Sequence, residues 1–413
     1  MRINIVSIIK NRKEKLFKEL NNNSLLVLYS GNELALSEDQ YYDFSVNRNF
    51  YYITNLDLKN VFYVVHKIKD NDYNEYLFLK NCTDKVKKKF YGSEYTLTQV
   101  LINTKLKKSN IFITDNFSSK LDNLIKKYKI KDVYTDFKNN DEVLNIFKKI
   151  NFAGGNSDIY QSIVNLRSVK DVYEILCLRK AVVSTYNAFM SLPVIIRNSK
   201  YEYEVLNAFN CKMLNNGNHR LGFNTIVASG INTKFLHYPK SESKLDRNSV
   251  LLCDAGASFK NYSCDVSRTF PINGKFSQKQ KLIYDIVERC NEYIISLVKP
   301  GITLDYLQSC TKKFLANECF KNKLIKSIYN IKRVYYHHVS HHIGLDVHDP
   351  CNNKVLQPGN VISVEPGLYF SKLRIGVRIE DTILVTSEGC INLTESIPKK
   401  SKDIENLFLN IKY

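Results

Sequence analysis

Four carboxylates lie within apolar, strand-like segments in the second half of the chain. Asp254 follows the apolar run 250–253, and Asp265 comes eleven residues later in a Cys-Asp-Val stretch. Glu365 ends an alternating apolar stretch, and Glu380 lies just before the Ile-Leu-Val run of the last strand-like segment. A buried carboxylate is costly unless something cationic compensates it. These four side chains therefore call for a source of positive charge.

Two divalent cations would neutralise four converging carboxylates, and the segment 337–349 contains five of the eight histidines as a source of an imidazole ligand. Oxygen-rich ligation without a thiolate pattern favours Mn, Co, Fe or Zn over a structural zinc–thiolate site. A paired-metal site lowers the pKa of a bound water from about 15.7 to about 7, which is hydrolytic chemistry. Any one such acid is more often ion-paired, so only the group of four favours metal.

The segments around these acids alternate between helical and strand patterns. Periodic apolar positions predict helices over 168–192, 200–214, 277–298 and 303–320. β-Branched and aromatic runs predict strands over 223–228, 249–254, 264–270, 361–365, 377–385 and 390–393. Helices mixed with antiparallel strands indicate an α+β domain.

The first part of the chain has a different pattern, typical of a smaller α/β domain. Strands are predicted over 24–31, 50–54, 60–68, 75–80 and 110–114, with helices over 1–20 and 118–130. The Gly-Gly and Asn of 151–158 suggest a boundary. We therefore expect an N-terminal domain over 1–155 and a second domain over 156–413.

Composition narrows the class of protein. The chain of 413 residues has a net charge of +19, but the basic excess is spread without a basic tail, so a solvated Lys-rich surface is favoured over nucleic-acid binding. No apolar run approaches the length of a membrane span. The ten cysteines occur singly, and no secretory signal is evident, which favours the cytoplasm.

The stretches DAGASFKNYSCDVSRTF, SHHIGLDVHD, VEPGLYF and GVRIED resemble the five-ligand signature of the dinuclear metallopeptidases of the pita-bread fold, in particular the aminopeptidase P (Xaa-Pro aminopeptidase) group. The resemblance covers about residues 165–410, and extends weakly to the first domain through 44–57. It implies an α+β pita-bread catalytic domain preceded by a smaller α/β domain that controls substrate access and oligomerisation.

Carried over by position, the resemblance implies a set of metal ligands. They would bind two divalent ions per chain, with Mn²⁺ the first expectation and Co²⁺, Fe²⁺ or Zn²⁺ as alternatives. Asp265 and Glu380 would bridge both ions. The implied ligands are Asp254, Asp265, His341, Glu365 and Glu380.

The resemblance also implies roles around the metals. The implied catalytic residues are His237, His348, Glu365 and Arg378. The implied substrate-binding residues are Phe223, His337 and Tyr369. His338 and His342 stand where the family has other residues, and we assign neither a role.

The expected activity is release of the N-terminal residue from peptides with proline in second position, by attack of a metal-bridging hydroxide. Peptides would be the partners, with no nucleic acid and no membrane, and the chain would form a homo-oligomer, either dimer or tetramer. A prolidase limited to Xaa-Pro dipeptides is the nearest alternative, because Arg374 could clamp a free carboxylate. A non-catalytic pita-bread binding protein is a further alternative, although such modules have usually lost metal ligands.

Overall fold

The computed structural model describes residues 4–80, 89, 92, 95–138, 141–215 and 220–409. It divides into two compact units, Met1–Arg167 and Ser168–Tyr413. The boundary expected after residue 155 lies within the first unit. The reason is that Gly155–Asp158 pairs in parallel with Asp132–Thr135 and extends the sheet of that unit.

The first unit is built on a mixed sheet of the order β4-β3-β2-β1-β5-β6. The strand β1 pairs antiparallel with β2, and β2 with β3, whereas the pairs β3–β4, β1–β5 and β5–β6 are parallel. The strands are β1 (Ser24–Tyr29), β2 (Val61–Lys69), β3 (Asp72–Leu79), β4 (Ile111–Ile113), β5 (Asp132–Thr135) and β6 (Gly155–Asp158). The helices are α1 (Ile5–Phe17), α2 (Arg48–Thr54), α3 (Leu97–Thr104), α4 (Phe117–Tyr128), α5 (Asp141–Lys149) and α6 (Tyr160–Ser168).

The sheet of the first unit is covered by apolar side chains from helices. Every residue of β1 is buried, which explains its continuous apolar sequence. Leu25 and Val27 of β1 pack in one cluster with Leu121 of α4 and Val143 of α5, and all four side chains are inaccessible to solvent. This cluster gives the first unit a core of its own.

The prediction of a strand over 50–54 is wrong, because these residues form α2. The side chain of Asn47 caps the helix by accepting a hydrogen bond from the Phe50 amide at 2.8 Å. Asn55 ends the helix in the left-handed region, with φ of +56°. Capping at both ends outweighs the strand preference of the aromatic and β-branched residues between them.

The second unit combines short antiparallel strands with long helices, as the sequence predicts. Among the described residues its strands form the groups β12-β9-β8, β13-β16-β17, β14-β15 and β11-β10-β7. The strands are β7 (Arg220–Leu221), β8 (Ile226–Ser229), β9 (Val250–Ala255), β10 (Ala257–Phe259), β11 (Tyr262–Ser263), β12 (Val266–Pro271), β13 (Val361–Val364), β14 (Gly367–Phe370), β15 (Ile375–Arg378), β16 (Asp381–Val385) and β17 (Cys390–Asn392). The helices are α7 (Val172–Asn198), α8 (Glu202–Leu214), α9 (Gln278–Leu297), α10 (Leu304–Lys321) and α11 (Ser401–Leu409).

Helices α7 and α8 pack against each other and against the strands. A capping box of Asp171 and Glu174 begins α7. Phe189 of α7 meets Phe209 of α8 edge to face, with ring centroids 5.2 Å apart. The Thr185 hydroxyl of α7 accepts a hydrogen bond from the Ala257 amide of β10 at 3.0 Å.

In the described part of the chain, no helix combines the length and apolar character needed to cross a bilayer.

A buried ion pair joins the segment before α7 to the loop 341–349. The Lys170 ammonium lies 2.8 Å from Asp349, and both side chains are almost completely inaccessible to solvent. The Asp349 amide donates to the His342 carbonyl at 2.8 Å. The pair therefore fixes the loop that carries His341 and His348.

We expect Lys170→Met to destabilise the second unit by about 3–5 kcal/mol, because the Asp349 carboxylate would stay buried without its cation. The free energy of unfolding from urea titration measures this. Lys126→Met is the control, since Lys126 pairs with Asp122 on the surface of α4, where such pairs contribute about 0–1 kcal/mol. Equal losses in the two variants would contradict the argument.

Candidate metal centre

The two aspartates are brought together by the pairing of β9 and β12. Asp254 lies in β9 opposite Ser267, and Asp265 immediately precedes β12. The Thr382 hydroxyl of β16 donates to the Asp265 carbonyl at 2.8 Å and accepts from the Asp265 amide at 3.2 Å. This contact holds Asp265 beside the strand that follows Glu380.

The two glutamates follow strand ends, and the prediction of one strand over 377–385 is wrong at its centre. The chain leaves β15 after Arg378 and enters β16 at Asp381, because β15 pairs with β14 whereas β16 pairs with β13. The Glu380 amide, between these strands, donates to the Ser267 carbonyl at 3.0 Å. This interruption places the Glu380 side chain beside the aspartates.

His341 faces three of the carboxylates. Its Nε2 lies 3.4 Å from Asp265 Oδ2, 3.4 Å from Glu365 Oε1 and 3.9 Å from Glu380 Oε1. Its Nδ1 lies 3.1 Å from the His342 carbonyl, which can only accept, so Nδ1 donates there and Nε2 is the ring nitrogen that faces the acids. A metal-binding histidine is usually held in this way.

The acids are short of positive charge within the protein. Asp254 Oδ2 accepts from Arg378 at 2.5 Å, but Asp254 Oδ1, Asp265 Oδ1 and Glu380 Oε1 are buried without a hydrogen-bond partner. Burial, with the charges of Asp254 and Glu365, raises the pKa of Asp265 well above its ordinary value. Burial and Asp265 likewise raise the pKa of Glu380.

These observations fit a site for divalent metal. One ligand atom from each of Asp265, His341 and Glu380 lies within 4.8 Å of the others, which is close enough to share an ion. Carboxylate oxygens with one imidazole are donors that suit Mn²⁺, Co²⁺, Fe²⁺ or Zn²⁺. The orphaned oxygens are the atoms that such ions would satisfy.

Arg378 connects the acids to an outer pair of aromatic side chains. Its Nε donates to the Ser267 hydroxyl at 2.8 Å, and Ser267 donates in turn to Glu380 at 2.8 Å. Its Nη1 lies 3.4 Å from the Tyr369 hydroxyl, which lies 2.9 Å from His337 Nε2. Arg378 thus orients Asp254 and links Glu380 to His337.

A cavity of about 910 Å³ opens onto the acids. Most of the residues expected from the sequence line it, whereas Tyr369 is buried and contacts His337 through its hydroxyl. His348 stacks beside His341 with ring centroids 4.1 Å apart. The lining includes the five predicted ligands together with Phe223, His237, His337, His348 and Arg378.

His338 and His342, to which the sequence analysis assigned no role, lie in different environments. His338 lines the cavity, whereas His342 is buried away from it, and its ring Nδ1 has no hydrogen-bond partner. Burial and the Lys170 charge lower the pKa of His342 to about 4, so it is neutral. Its side chain belongs to the core.

Sequence reasoning missed the neutral residues that hold the acids in place. The Asn291 amide of α9 donates to the carbonyls of Val364 at 2.9 Å and Ile379 at 3.3 Å, the residues just before Glu365 and Glu380. Gln308 of α10 similarly donates to the His337 carbonyl at 2.9 Å. A single polar residue in an amphipathic helix gives no pattern by which its partner could be found.

Comparison with known proteins agrees with this site. Residues 176–387 match Metallopeptidase family M24, and residues 9–134 match the N-terminal domain of aminopeptidase P. The chain belongs to metallopeptidase family M24, and it is a hydrolase of the pita-bread fold preceded by a smaller α/β domain, which confirms the fold class expected from the sequence.

Two relatives named as aminopeptidases match almost the whole chain, and a dipeptidase matches part of it. The Xaa-Pro aminopeptidase of Escherichia coli strain K12 is 28% identical over 430 aligned positions, which cover 97% of each protein. The structure of Zn-substituted E. coli aminopeptidase P in complex with product superposes with a TM-score of 0.91, at 26% identity, over 100% of both chains. A Xaa-Pro dipeptidase of Pyrococcus horikoshii is 33% identical, but over 56% of this chain and 64% of that protein.

We expect the stability of the metal-free protein to fall as pH rises. The raised carboxyl pKa values mean that the folded state binds protons more tightly than the unfolded chain, so this stabilisation is present at acidic pH. It is lost as pH rises from about 4, the ordinary carboxyl value, through the raised folded values. Urea unfolding in the presence of a chelator measures this loss of stability. The same titration with Mn²⁺ shows whether bound metal prevents the loss.

Asp265→Asn is the matched variant for this experiment. It removes one charge from the cluster at nearly constant volume, so its metal-free form should lose less stability with pH than metal-free wild type. It should also gain less from Mn²⁺. A metal-free wild type whose stability changes with pH no more than that of Asp265→Asn would contradict the assignment.

Proposed function

We propose that the chain is a metal-dependent aminopeptidase that releases the N-terminal residue from peptides with proline in second position. The observation that carries this is the buried acid–histidine cluster at the floor of a large cavity, in a chain related over its whole length to a Xaa-Pro aminopeptidase. The cavity volume of about 910 Å³ is within the range of small-ligand sites and accommodates a short peptide.

Two divalent ions per chain, with Mn²⁺ as the first candidate, would be held by the five predicted ligands. Four carboxylates and two dications balance in charge, which would relieve the raised pKa values of the metal-free cluster. When bound, such a pair supplies Lewis acidity and a water of lowered pKa. The proposed ligands are Asp254, Asp265, His341, Glu365 and Glu380.

Glu365 is the proposed proton acceptor. It is the most accessible of the cluster glutamates, with 17% of its side chain exposed against 2% for Glu380. Burial raises the pKa of Glu365 in the metal-free protein, and bound dications would lower it again, so the accessibility of Glu365 rather than its basicity favours it as the acceptor. Its Oε2 lies 3.8 Å from His337 Nδ1, at the edge of the cavity. The Glu365 carboxylate can therefore take a proton from a water beside the cluster and pass it toward the leaving amine.

His348 and His237 are the proposed donors to the substrate carbonyl oxygen as negative charge develops on it. Burial and the neighbouring His341 and His237 rings lower the pKa of His348 to about 4, so it is a neutral N–H donor near pH 7. Arg378 is proposed to hold Asp254 and the Tyr369–His337 pair in place. Phe223 and His337 would receive the proline ring.

A dipeptidase is less favoured because, among the described residues that line the cavity, no Lys or Arg is available to hold a free C-terminal carboxylate. Arg378 is the only Lys or Arg among the described residues that line the cavity, and it is engaged by Asp254. Arg374 is exposed at the end of the turn Ser371–Leu373 and does not line the cavity. The arginine that left the prolidase alternative open therefore does not serve as a clamp within this unit.

We also propose a cytoplasmic location, no nucleic-acid partner and a homo-oligomer, with residues 1–155 as the domain that controls access to the cavity. The described cysteines form no disulfide, and free thiols are the form that a reducing compartment maintains.

The experiment that tests the activity is hydrolysis of matched peptides by the Mn²⁺-loaded protein. We expect cleavage of Xaa-Pro-Xaa tripeptides, slower cleavage of Xaa-Pro dipeptides, and none of Xaa-Ala-Xaa. Chromatography of the reaction mixture detects the released first residue and measures the rate for each peptide. Cleavage of dipeptides alone would favour a prolidase, and no cleavage with full metal loading would favour a binding protein.

The proposed metal pair makes a prediction about stoichiometry. Asp265→Ala should hold fewer than two ions per chain, because one of the five proposed ligands would be missing. Elemental analysis after dialysis against Mn²⁺ measures this, with His342→Ala as the control that keeps all ligands. An Asp265→Ala protein with wild-type metal content and turnover would refute the ligand assignment.

The same control separates the histidines in catalysis. His348→Ala should keep its metals and lose about 10²–10³ in kcat, the loss typical of removing one oxyanion donor. His342→Ala should lose stability, because its ring is buried, but retain kcat. Equal losses of kcat in the two variants would show that the cleft histidines are wrongly assigned.

A further inference from the structure

Glu202 is a fully buried glutamate at the first position of α8. No ion pair to its carboxylate is formed among the residues that the structure describes. A buried carboxylate without a cation requires several hydrogen-bond donors to remain charged. The start of a helix contributes further, because its amide dipoles favour negative charge.

The donors to Glu202 come from both ends of one segment. Its Oε1 accepts from the amide and the hydroxyl of Ser229, at 2.6 and 2.7 Å, and from the Asn232 side chain at 3.1 Å. Its Oε2 accepts from the Ser243 amide at 3.0 Å. One carboxylate thus joins residues 229 and 243, and we call the segment between them the cleft loop.

The cleft loop forms one wall of the cavity. It contributes Leu236, His237, Tyr238, Pro239 and Ser241 to the lining. The loop contains a short 3₁₀ turn at Gly230–Lys234, but none of its residues after Ser229 belongs to a strand. Side-chain hydrogen bonds therefore contribute to its geometry around His237, beside the backbone bond from the Glu202 amide to the Ser243 carbonyl at 3.0 Å.

We propose that Glu202 is a positioning residue that fixes the cleft loop and thereby aims His237 at the substrate. This rests on the proposed function, in which His237 acts on the substrate carbonyl. The four hydrogen bonds described above all come from donor groups, and a carboxylate can accept every one of them. A glutamine would turn its NH₂ group toward one of these donors and leave that donor unpaired.

The test is Glu202→Gln, which keeps the shape of the side chain. We expect kcat for a Xaa-Pro-Xaa tripeptide to fall on the order of 10- to 100-fold, the scale of a misplaced catalytic group, with a smaller change in KM. Metal content should equal wild type, and the amides of Ser229 and Ser243 should exchange hydrogen faster. Unchanged kcat or unchanged exchange at these amides would overturn the proposal.

Glu204→Gln is the matched control. Glu204 lies in the same first turn of α8, but its carboxylate accepts from the amides of Lys200 and Tyr201, outside the cleft loop. It should show near wild-type kcat and unchanged exchange at Ser229 and Ser243. Losses equal to those of Glu202→Gln would mean that any damage to this helix start lowers activity, and would overturn the specific role.

A double-mutant cycle with His237→Ala shows whether Glu202 acts through that histidine. If it does, Glu202→Gln should cost little kcat once His237 is absent, whereas additive losses would overturn the proposal. If Glu202→Gln does not fold, Asn232→Ala replaces it in the cycle, since it removes one contact to Glu202 and one to Ser243. Wild type that cleaves no Xaa-Pro peptide would refute the proposed function alone, and amide exchange would still decide whether Glu202 holds the loop.

Discussion

The burial of four like charges around one histidine is the constraint on which the second unit depends. Hydrogen bonds from the protein satisfy only part of the cluster, since Asp254 has Arg378 and Glu380 has Ser267, while three oxygens remain without partners. The fold must therefore hold the acids together against their mutual repulsion until metal arrives. The groups that hold them are strand pairings and the buried side chains behind them.

Two adjacent buried carboxyl groups, Glu380 and Asp381, have opposite pKa shifts because, among the described residues, only Asp381 is ion-paired with Lys or Arg. Burial alone would raise the pKa of Asp381, but Arg268 and Lys399 overcome it and lower that pKa to about 2. Glu380, one residue earlier and equally buried, has its pKa raised by burial and by Asp265. Arg268 lies 2.7 Å from Asp381, and it reaches Glu380 only through the backbone carbonyl. Arg268 and Lys399 thus neutralise Asp381 but not the side chain of Glu380, which fits the proposed role of Glu380 as a metal ligand.

This separation also explains what the sequence can and cannot predict. Ionisable residues in apolar strands are conspicuous, so the acids and the histidine-rich segment could be found without a structure. Asn291 and Glu202 could not, because each is a single polar residue on a helix, and only packing shows which backbone groups it meets. The helix over 48–54 was missed because its Asn47 cap competes with a run of strand-forming residues.

The candidate metal centre does not determine whether the protein acts as an aminopeptidase or as a dipeptidase. The acids, His341 and Arg378 would serve hydrolysis of either substrate, so specificity must come from the walls of the cavity. The cleft loop forms part of those walls. It is anchored by the carboxylate of Glu202, and this anchor adds no positive charge to the cavity. A cationic anchor in the same place would attract a free C-terminal carboxylate and favour dipeptides. Because Glu202 is held by neutral donors, this anchor brings no cation toward the cavity that would favour a free C-terminal carboxylate.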